Sequence, residues 1–387
     1  MIRYGKNFWI LCLAMFLFMT SFNLIIPDLN DFITSIGGKD YKGLIIGLFT
    51  ISALISRPFS GKLSDKIGRK SVMNIGMIVA VIISLLYPFS FSVFFFLSLR
   101  FLHGFSAGFL PTGATALLTD LLPAEHRGRG MGIWGTFISL GIGVGQGVGP
   151  IITKEFSISI LFYFASFIAV LSGILLIKVE ETLELKERFA KKHLDIEMND
   201  VFEPTVIPAA IVMFLSATCS GIIFVTTPDI SDKFLHLDYK GWFFIFYVIT
   251  TIIIRLFFSS LSDKIGRRMT LVIGMIFLII SMILVGYSYD KFSYTLASVI
   301  FGIATGISSP TLFAWTADLS HHERRGVGAG TMFIALEAGI FFGSVSTMVT
   351  YNNKFDSIPL VYIVGAILAT FALIYLIWHL VRRKSVT

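Results

Sequence analysis

Charge is scarce in this chain. Asp, Glu, Lys and Arg make up 14% of its 387 residues, whereas 55% are hydrophobic, 39 are phenylalanine and the mean hydropathy is +0.82. That leaves too little polar surface to cover a soluble globule, so a water-soluble class is excluded. Cysteine is almost absent. Cys12 and Cys219 each lie inside an apolar run, which removes both a disulfide framework and a cysteine-based metal site. There is no HExxH pattern to hold a catalytic metal, so neither an enzyme nor a metal or other cofactor is expected. There is no nucleotide-binding P-loop either, so any work the protein does must draw on an ion gradient rather than ATP.

What the chain does have is apolar runs long enough to cross a bilayer, which takes about 20 residues in a helix. They fall near 8–32, 43–63, 71–90, 92–119, 131–152, 158–178, 206–230, 241–261, 269–288, 292–317, 328–349 and 359–381. The expectation is an all-α integral membrane protein with twelve transmembrane helices. The first run lacks a small-residue cleavage site and is too long for a signal-peptide core, so it is read as a retained span. Lys and Arg gather in cytoplasmic loops. With both termini placed in the cytoplasm, 21 of the 31 basic residues fall inside and 7 outside. The other three, Arg57, Arg100 and Arg255, sit within spans. The net charge of +7 therefore follows topology and needs no nucleic-acid partner.

The chain is written twice. LSDKIGR occupies Leu63 to Arg69 and again Leu261 to Arg267, an offset of 198 residues. The same offset carries Tyr41 and Lys42 onto Tyr239 and Lys240, Arg57 onto Arg255, Gly76 onto Gly274, Asp120 onto Asp318 and Arg127 onto Arg325. The halves are expected at 1–177 and 206–387 as two pseudo-symmetric six-helix bundles. They are joined by a cytoplasmic linker, 178–205, whose five basic and eight acidic residues read as ordinary surface charges. Six spans per half return the chain to the same side, so the repeat is parallel and favours alternating access over a channel.

These residues resemble the Major Facilitator Superfamily over essentially the whole chain. GKLSDKIGRK, from Gly61 to Lys70, is similar to that family's loop between spans two and three, and the second copy departs from it with Ser259 in place of the first glycine. Gly68 and Gly266 allow a tight turn, and Arg69 and Arg267 hold the loops in the cytoplasm. Asp65 and Asp263 suit the N–H groups at a helix N-terminus or a neighbouring Arg. The resemblance implies that the first loop faces span eleven and the second faces span five. In that role the gating residues also include Asp120, Arg127, Asp318 and Arg325. RFLHGFSAG, from Arg100 to Gly108, resembles the family's span-four pattern, with His103 where a Gln is usual. On span five, Gly141, Gly145, Gly149 and Pro150 resemble its antiporter signature; the glycines bare one helix face and the proline can kink the end.

Polar residues without a twin mark where the halves differ, as a substrate and a proton require. Arg100 maps onto Ser298, His103 onto Phe301, and Glu337 onto Ser139. Arg100, His103, Glu337, Arg57, Asp28 and Asn23 are the coupling or substrate candidates. Arg57 lies about 12 Å along its helix from Asp65, and Glu337 about 16 Å from Gly326, at a rise of 1.5 Å per residue. The two can therefore pair by depth, Arg255 being the rival partner for Glu337. Pro27-Asp28 and Pro228-Asp229 can break the outer ends of spans one and seven. The resulting expectation is a monomeric, proton-coupled exporter of a small amphipathic molecule or drug in a bacterial cytoplasmic membrane. The alternative is a proton symporter or facilitator for a sugar, siderophore or other metabolite. Its partners are the substrate, protons and lipid.

Overall fold

The computed structural model describes residues 4–38, 41–237, 241–258, 260–351 and 354–384. Tyr239, Lys240 and Ser259, used above to set the repeat and its one departure, lie outside them. Among the described residues the twelve runs form helices: α1 Lys6–Ile25, α2 Lys42–Lys66, α3 Arg69–Leu86, α4 Val93–Leu121, α5 Arg127–Glu155, α6 Ile158–Ile177, α7 Ile207–Asp229, α8 Trp242–Phe258, α9 Arg267–Gly286, α10 Lys291–Leu319, α11 Arg325–Thr350 and α12 Ile358–Lys384. Eleven are long and apolar enough to cross a membrane. The twelfth, α8, has 17 residues and is followed beyond residue 259 by a short helix, Leu261–Ile265. Ser92 and Ser157 cap α4 and α6 by accepting the N–H of Phe95 and Ile160 at 3.2 Å.

The two proline-aspartate sites behave differently. At the first, α1 gives way to a 3₁₀ turn, Ile26–Asp28, and a short helix, Leu29–Ser35. At the second, α7 runs through Pro228 to Asp229 and continues into a π turn, Ile230–Phe234.

Packing groups the chain into two compact units. The first holds Met1–Pro123, Phe137–Pro204 and Ser320–Phe333; the second holds Ala124–Thr136, Thr205–Leu319 and Ile334–Thr387. Within the first, α1 packs on α6, α6 on α3, α3 on α4 and α4 on α2. Within the second, α7 packs on α12, α12 on α9, α9 on α10 and α10 on α8. The second series is the first shifted by six helices, so the repeat in sequence is also a repeat in packing.

Glycine makes a further contact possible, that of α5 on α1. A Cβ at Gly141 would lie 2.6 Å from the carbonyl oxygen of Phe16, and one at Gly145 would lie 2.7 Å from that of Thr20. Gly149 sits in the same way on Leu24. The stripe recurs in the second unit, where Gly339 and Gly343 of α11 meet the carbonyls of Phe214 and Thr218. Pro150 continues α5, and its side chain lies outside the described residues.

Candidate functional site

The duplicated loop builds two closely similar clusters, one inside each unit. Gly68 has φ +116° and Gly266 φ +88°, a region that L side chains rarely enter, and each turn delivers the following Arg to the start of the next helix. In the first cluster Asp65 accepts the backbone N–H of Gly326 at 2.7 Å and of Val327 at 2.9 Å, at the N-terminal end of α11. The positive end of the helix dipole favours a carboxylate there. Arg69 holds Asp65 at 2.8 Å and reaches Asp120 at 3.3 Å, and Arg325 reaches Asp120 at 2.6 Å. Gly61 and Gly326 touch backbone to backbone: a Cβ on Gly61 would lie 3.2 Å from the Gly326 oxygen.

The second cluster repeats the first. Asp263 accepts the N–H of Gly128 and of Arg129, both at 2.9 Å, at the start of α5. Arg267 pairs with Asp263 and with Asp318, the latter at 2.8 Å, and Arg127 reaches Asp318 at 2.8 Å. The copies differ in cover. The side chain of Asp120 is 8% exposed, whereas that of Asp318 is 29% exposed.

Linker residues account for the cover on the first cluster. The Glu181 carboxylate accepts the backbone N–H of Arg69 at 3.0 Å and of Lys70 at 3.1 Å, which caps α3, and Thr182 donates to Asp120 at 2.5 Å. Further along, Glu187 joins Lys66, Lys192 and His193, and its carboxyl is pulled down to about 2, chiefly by the hydrogen bond from His193. The side chain of Glu203 is 1% exposed and pairs with Arg324 at 3.0 Å. Glu181 and Glu203 are thus built into the fold, whereas Glu187 and most of the other linker charges are exposed, as the surface-charge reading expects. The sequence concealed the role of Glu181 because a carboxylate bound to a distant N–H has no local spacing signature.

Two of the intramembrane candidates, Arg100 and His103, come together at Tyr87. Arg57 is buried, donates to the Gly108 carbonyl at 3.2 Å and the Thr112 hydroxyl at 2.8 Å, and lies 4.1 Å from the centre of the Phe333 ring. Arg100 is fully buried and donates to the Ile45 carbonyl at 3.2 Å and the Tyr87 hydroxyl at 3.3 Å. The same hydroxyl meets His103 Nδ1 at 2.9 Å. Tyr87, which joins the two, went unread because it closes an apolar run beside Pro88. The letters GFSAG at Gly104 to Gly108 spell a nucleophile-elbow pattern, but they lie within the continuous helix α4, where the buried Ser106 donates to the His103 carbonyl at 2.7 Å. Asn23 is buried and accepts from Gln146 at 3.2 Å, linking α1 to α5. Asp28 lies in the turn after α1. Glu337 lies mid-way along α11 and is half-buried.

A cavity of about 170 Å³ opens within the second unit. Arg255 and Tyr247 of α8, Phe224 of α7, and Thr305, Ser308 and Ser309 of α10 contribute to its wall. No group of His, Cys, Asp and Glu suited to a metal ion occurs among the described residues.

Comparison with known proteins matches this architecture. The sequence model of the Major Facilitator Superfamily matches residues 11–228 and 209–387. Multidrug resistance protein 2 of Bacillus subtilis (strain 168) is 26% identical over 355 residues, covering 87% of each chain. Quinolone resistance protein NorA of Staphylococcus aureus (strain COL) is 23% identical over 376 residues, covering 94% of this chain and 95% of its own. Among solved structures, the human organic anion transporter MFSD10 superposes with a TM-score of 0.84 at 17% identity, covering 97% of this chain and 100% of its own. FucP in its outward conformation superposes at 0.74 and 15% identity, covering 97% and 99%. At those identities the likeness is one of fold. Twelve helices in two like-packed sets, the doubled loop and the family match over both halves lead to one conclusion: the chain is an integral membrane transporter belonging to the Major Facilitator Superfamily.

Proposed function

We propose that this transporter exports a small amphipathic compound in exchange for protons, as a monomer in a bacterial cytoplasmic membrane with both termini cytoplasmic. The relatives named for multidrug and quinolone resistance support export of a drug-like substrate. The distribution of Lys and Arg supports the orientation. In this reading the halves are 1–177 and 206–387 with the linker between them, and the Asp65 and Asp263 clusters are latches on the cytoplasmic side. Opening that side requires Gly326 and Val327 to leave Asp65, and Gly128 and Arg129 to leave Asp263.

One observation carries the coupling: Glu337 is the acidic residue that stands in the middle of a span, thirteenth of the 26 residues of α11. An ionisable group at that depth is expensive to insert and is by default functional. The proposed cycle has Glu337 pair with Arg57 while the cytoplasmic side is closed and take up a proton as the pair parts. Arg100 and His103, joined by Tyr87, are assigned to the first half's response to substrate.

Proteoliposomes with an imposed pH gradient test the reading. Glu337→Gln should abolish proton-driven flux of a drug panel while leaving substrate binding intact. Exchanging the charges, Arg57→Glu with Glu337→Arg, should recover cytoplasmic closure measured by cysteine accessibility. An unchanged pH dependence in Glu337→Gln would remove the proton role, and uptake down an inward proton gradient would overturn export.

A further inference from the structure

The repeat makes Arg57 and Arg255 the same residue in two copies, yet their surroundings differ for a legible reason. Arg57 is held by the hydroxyl of Thr112 and the carbonyl of Gly108. At an offset of 198, Gly108 becomes Gly306 but Thr112 becomes Pro310, which has no hydroxyl to offer. Arg255 donates instead to the Gly135 carbonyl and contributes to the wall of the cavity in the second unit.

The hydroxyls around that cavity are equally one-sided. Tyr247, Thr305, Ser308 and Ser309 occupy the positions that hold Phe49, Ala107, Leu110 and Pro111 in the first half. In the first half, Phe49 stacks on Phe22 at 4.8 Å between ring centres and fills the space with carbon. Four changes from apolar to hydroxyl at one place, absent from the partner copy, do not serve the shared scaffold. Ser308, whose buried oxygen has no hydrogen-bond partner among the described residues, lies against Gly274 of α9 at the edge of the cavity.

We infer that this cavity is a subsite for an anionic aromatic group, a single ring bearing a carboxylate or similar acid, seated with its charge toward Arg255 and the α10 hydroxyls. Among the described lining residues Arg255 is the one charged side chain, so the wall itself presents positive charge to an occupant. The ring is accommodated by Phe224 and the neighbouring aliphatic wall. Size limits the occupant: about 170 Å³ is close to the roughly 150 Å³ that houses benzene in an engineered cavity, and below the roughly 300 Å³ at which whole-ligand pockets begin. The subsite therefore takes a one-ring ligand or the acidic ring of a larger amphipath. The assignment deepens the export reading and rests on it for its purpose, while ligand binding is separable from transport.

Equilibrium dialysis of radiolabelled benzoate against the purified full chain tests the assignment, with benzamide and benzylamine as shape-matched neutral and cationic competitors. Benzoate should bind, and the competition order should be benzoate, then benzamide, then benzylamine. Arg255→Gln should weaken benzoate at least tenfold and abolish the preference over benzamide, and Ser309→Phe should block all three by filling the space. Thr305→Val, which keeps the shape and removes one hydroxyl, should weaken benzoate less than Arg255→Gln with an unchanged melting temperature, so that a misfolded Arg255 variant does not decide the matter. No saturable benzoate binding, equal or tighter binding of benzylamine, or unchanged benzoate binding in a folded Arg255→Gln would overturn the assignment. Export of cations alone would sink the subsite and spare the export reading, whereas benzoate binding without proton exchange would do the reverse.

Discussion

At the scale of single residues, the two aspartates of the repeated loop are the informative comparison. Each carboxylate takes two backbone N–H groups and one Arg, so their inventories are equal. Their settings are not: the side chain of Arg69 is 1% exposed and that of Arg267 is 12% exposed. Hydrogen bonds to a charged acceptor contribute about 1.5–3 kcal/mol and gain strength as water is excluded. Asp65→Asn is therefore expected to lower transport about tenfold or more with the protein still folded, and Asp263→Asn to have a smaller effect. Flux measured in proteoliposomes at matched protein content checks this, and equal wild-type flux in both variants would remove the latch role. The loop motif itself was legible in sequence because one short stretch contains it. Its partners at Gly326 and Gly128 lie 261 and 135 residues away, and the family resemblance implied only the spans that hold them, eleven and five.

At the scale of elements, the helix interfaces depend on where side chains are missing. The carbonyls of Phe16, Thr20 and Leu24 on α1 follow the same four-residue spacing as Gly141, Gly145 and Gly149 on α5, so the contact runs along both helices. A side chain at Gly145 would drive into Thr20 backbone, which has no rotamer to yield, whereas nothing lies within 4 Å of a Cβ at Gly147. Gly145→Leu should cost about 1–3 kcal/mol or more by overpacking. Gly147→Leu should be close to neutral. Thermal unfolding of the purified variants separates the two. Here the sequence was readable to the residue, since a glycine stripe at helical spacing has few other uses. The helix ends were less so: α8 is shorter than its apolar run, and the two proline-aspartate sites bend differently because the backbone after each makes different hydrogen bonds.

At the scale of the whole molecule, the linker keeps most of its charges exposed while a few of its residues tie it to the helices. Its extended stretch is fastened at Glu181, Thr182, Glu187 and Glu203. His193 accepts the N–H of Ala190 at Nδ1, which leaves Nε2 to donate to Glu187. Because the Glu187 carboxyl is held at about 2 against an ordinary value of 4.5, its contribution is complete above about pH 4.5 and is lost as pH falls toward 2. Hydrogen exchange of the linker amides should accordingly be flat from pH 7 to 5, after correction for intrinsic rates, and lose protection below that. Glu187→Gln should show the reduced protection already at pH 7. Protection that is the same in both proteins across the range would show that Glu187 does not fasten the linker.

The sequence by itself determined the class, the number and order of the helices and the repeat, because a bilayer demands long apolar helices and a duplication leaves its offset in every shared residue. It also singled out Arg57, Arg100 and Arg255, since an Arg in an apolar run is visible without coordinates. Only the tertiary structure decided that equivalent arginines have different partners, that Thr112 holds one of them while Pro310 gives the other nothing to hold, and that Glu181 and Glu203 belong to the fold. Those outcomes depend on which atoms lie within about 3 Å of one another, a distance that packing sets between residues far apart in the chain.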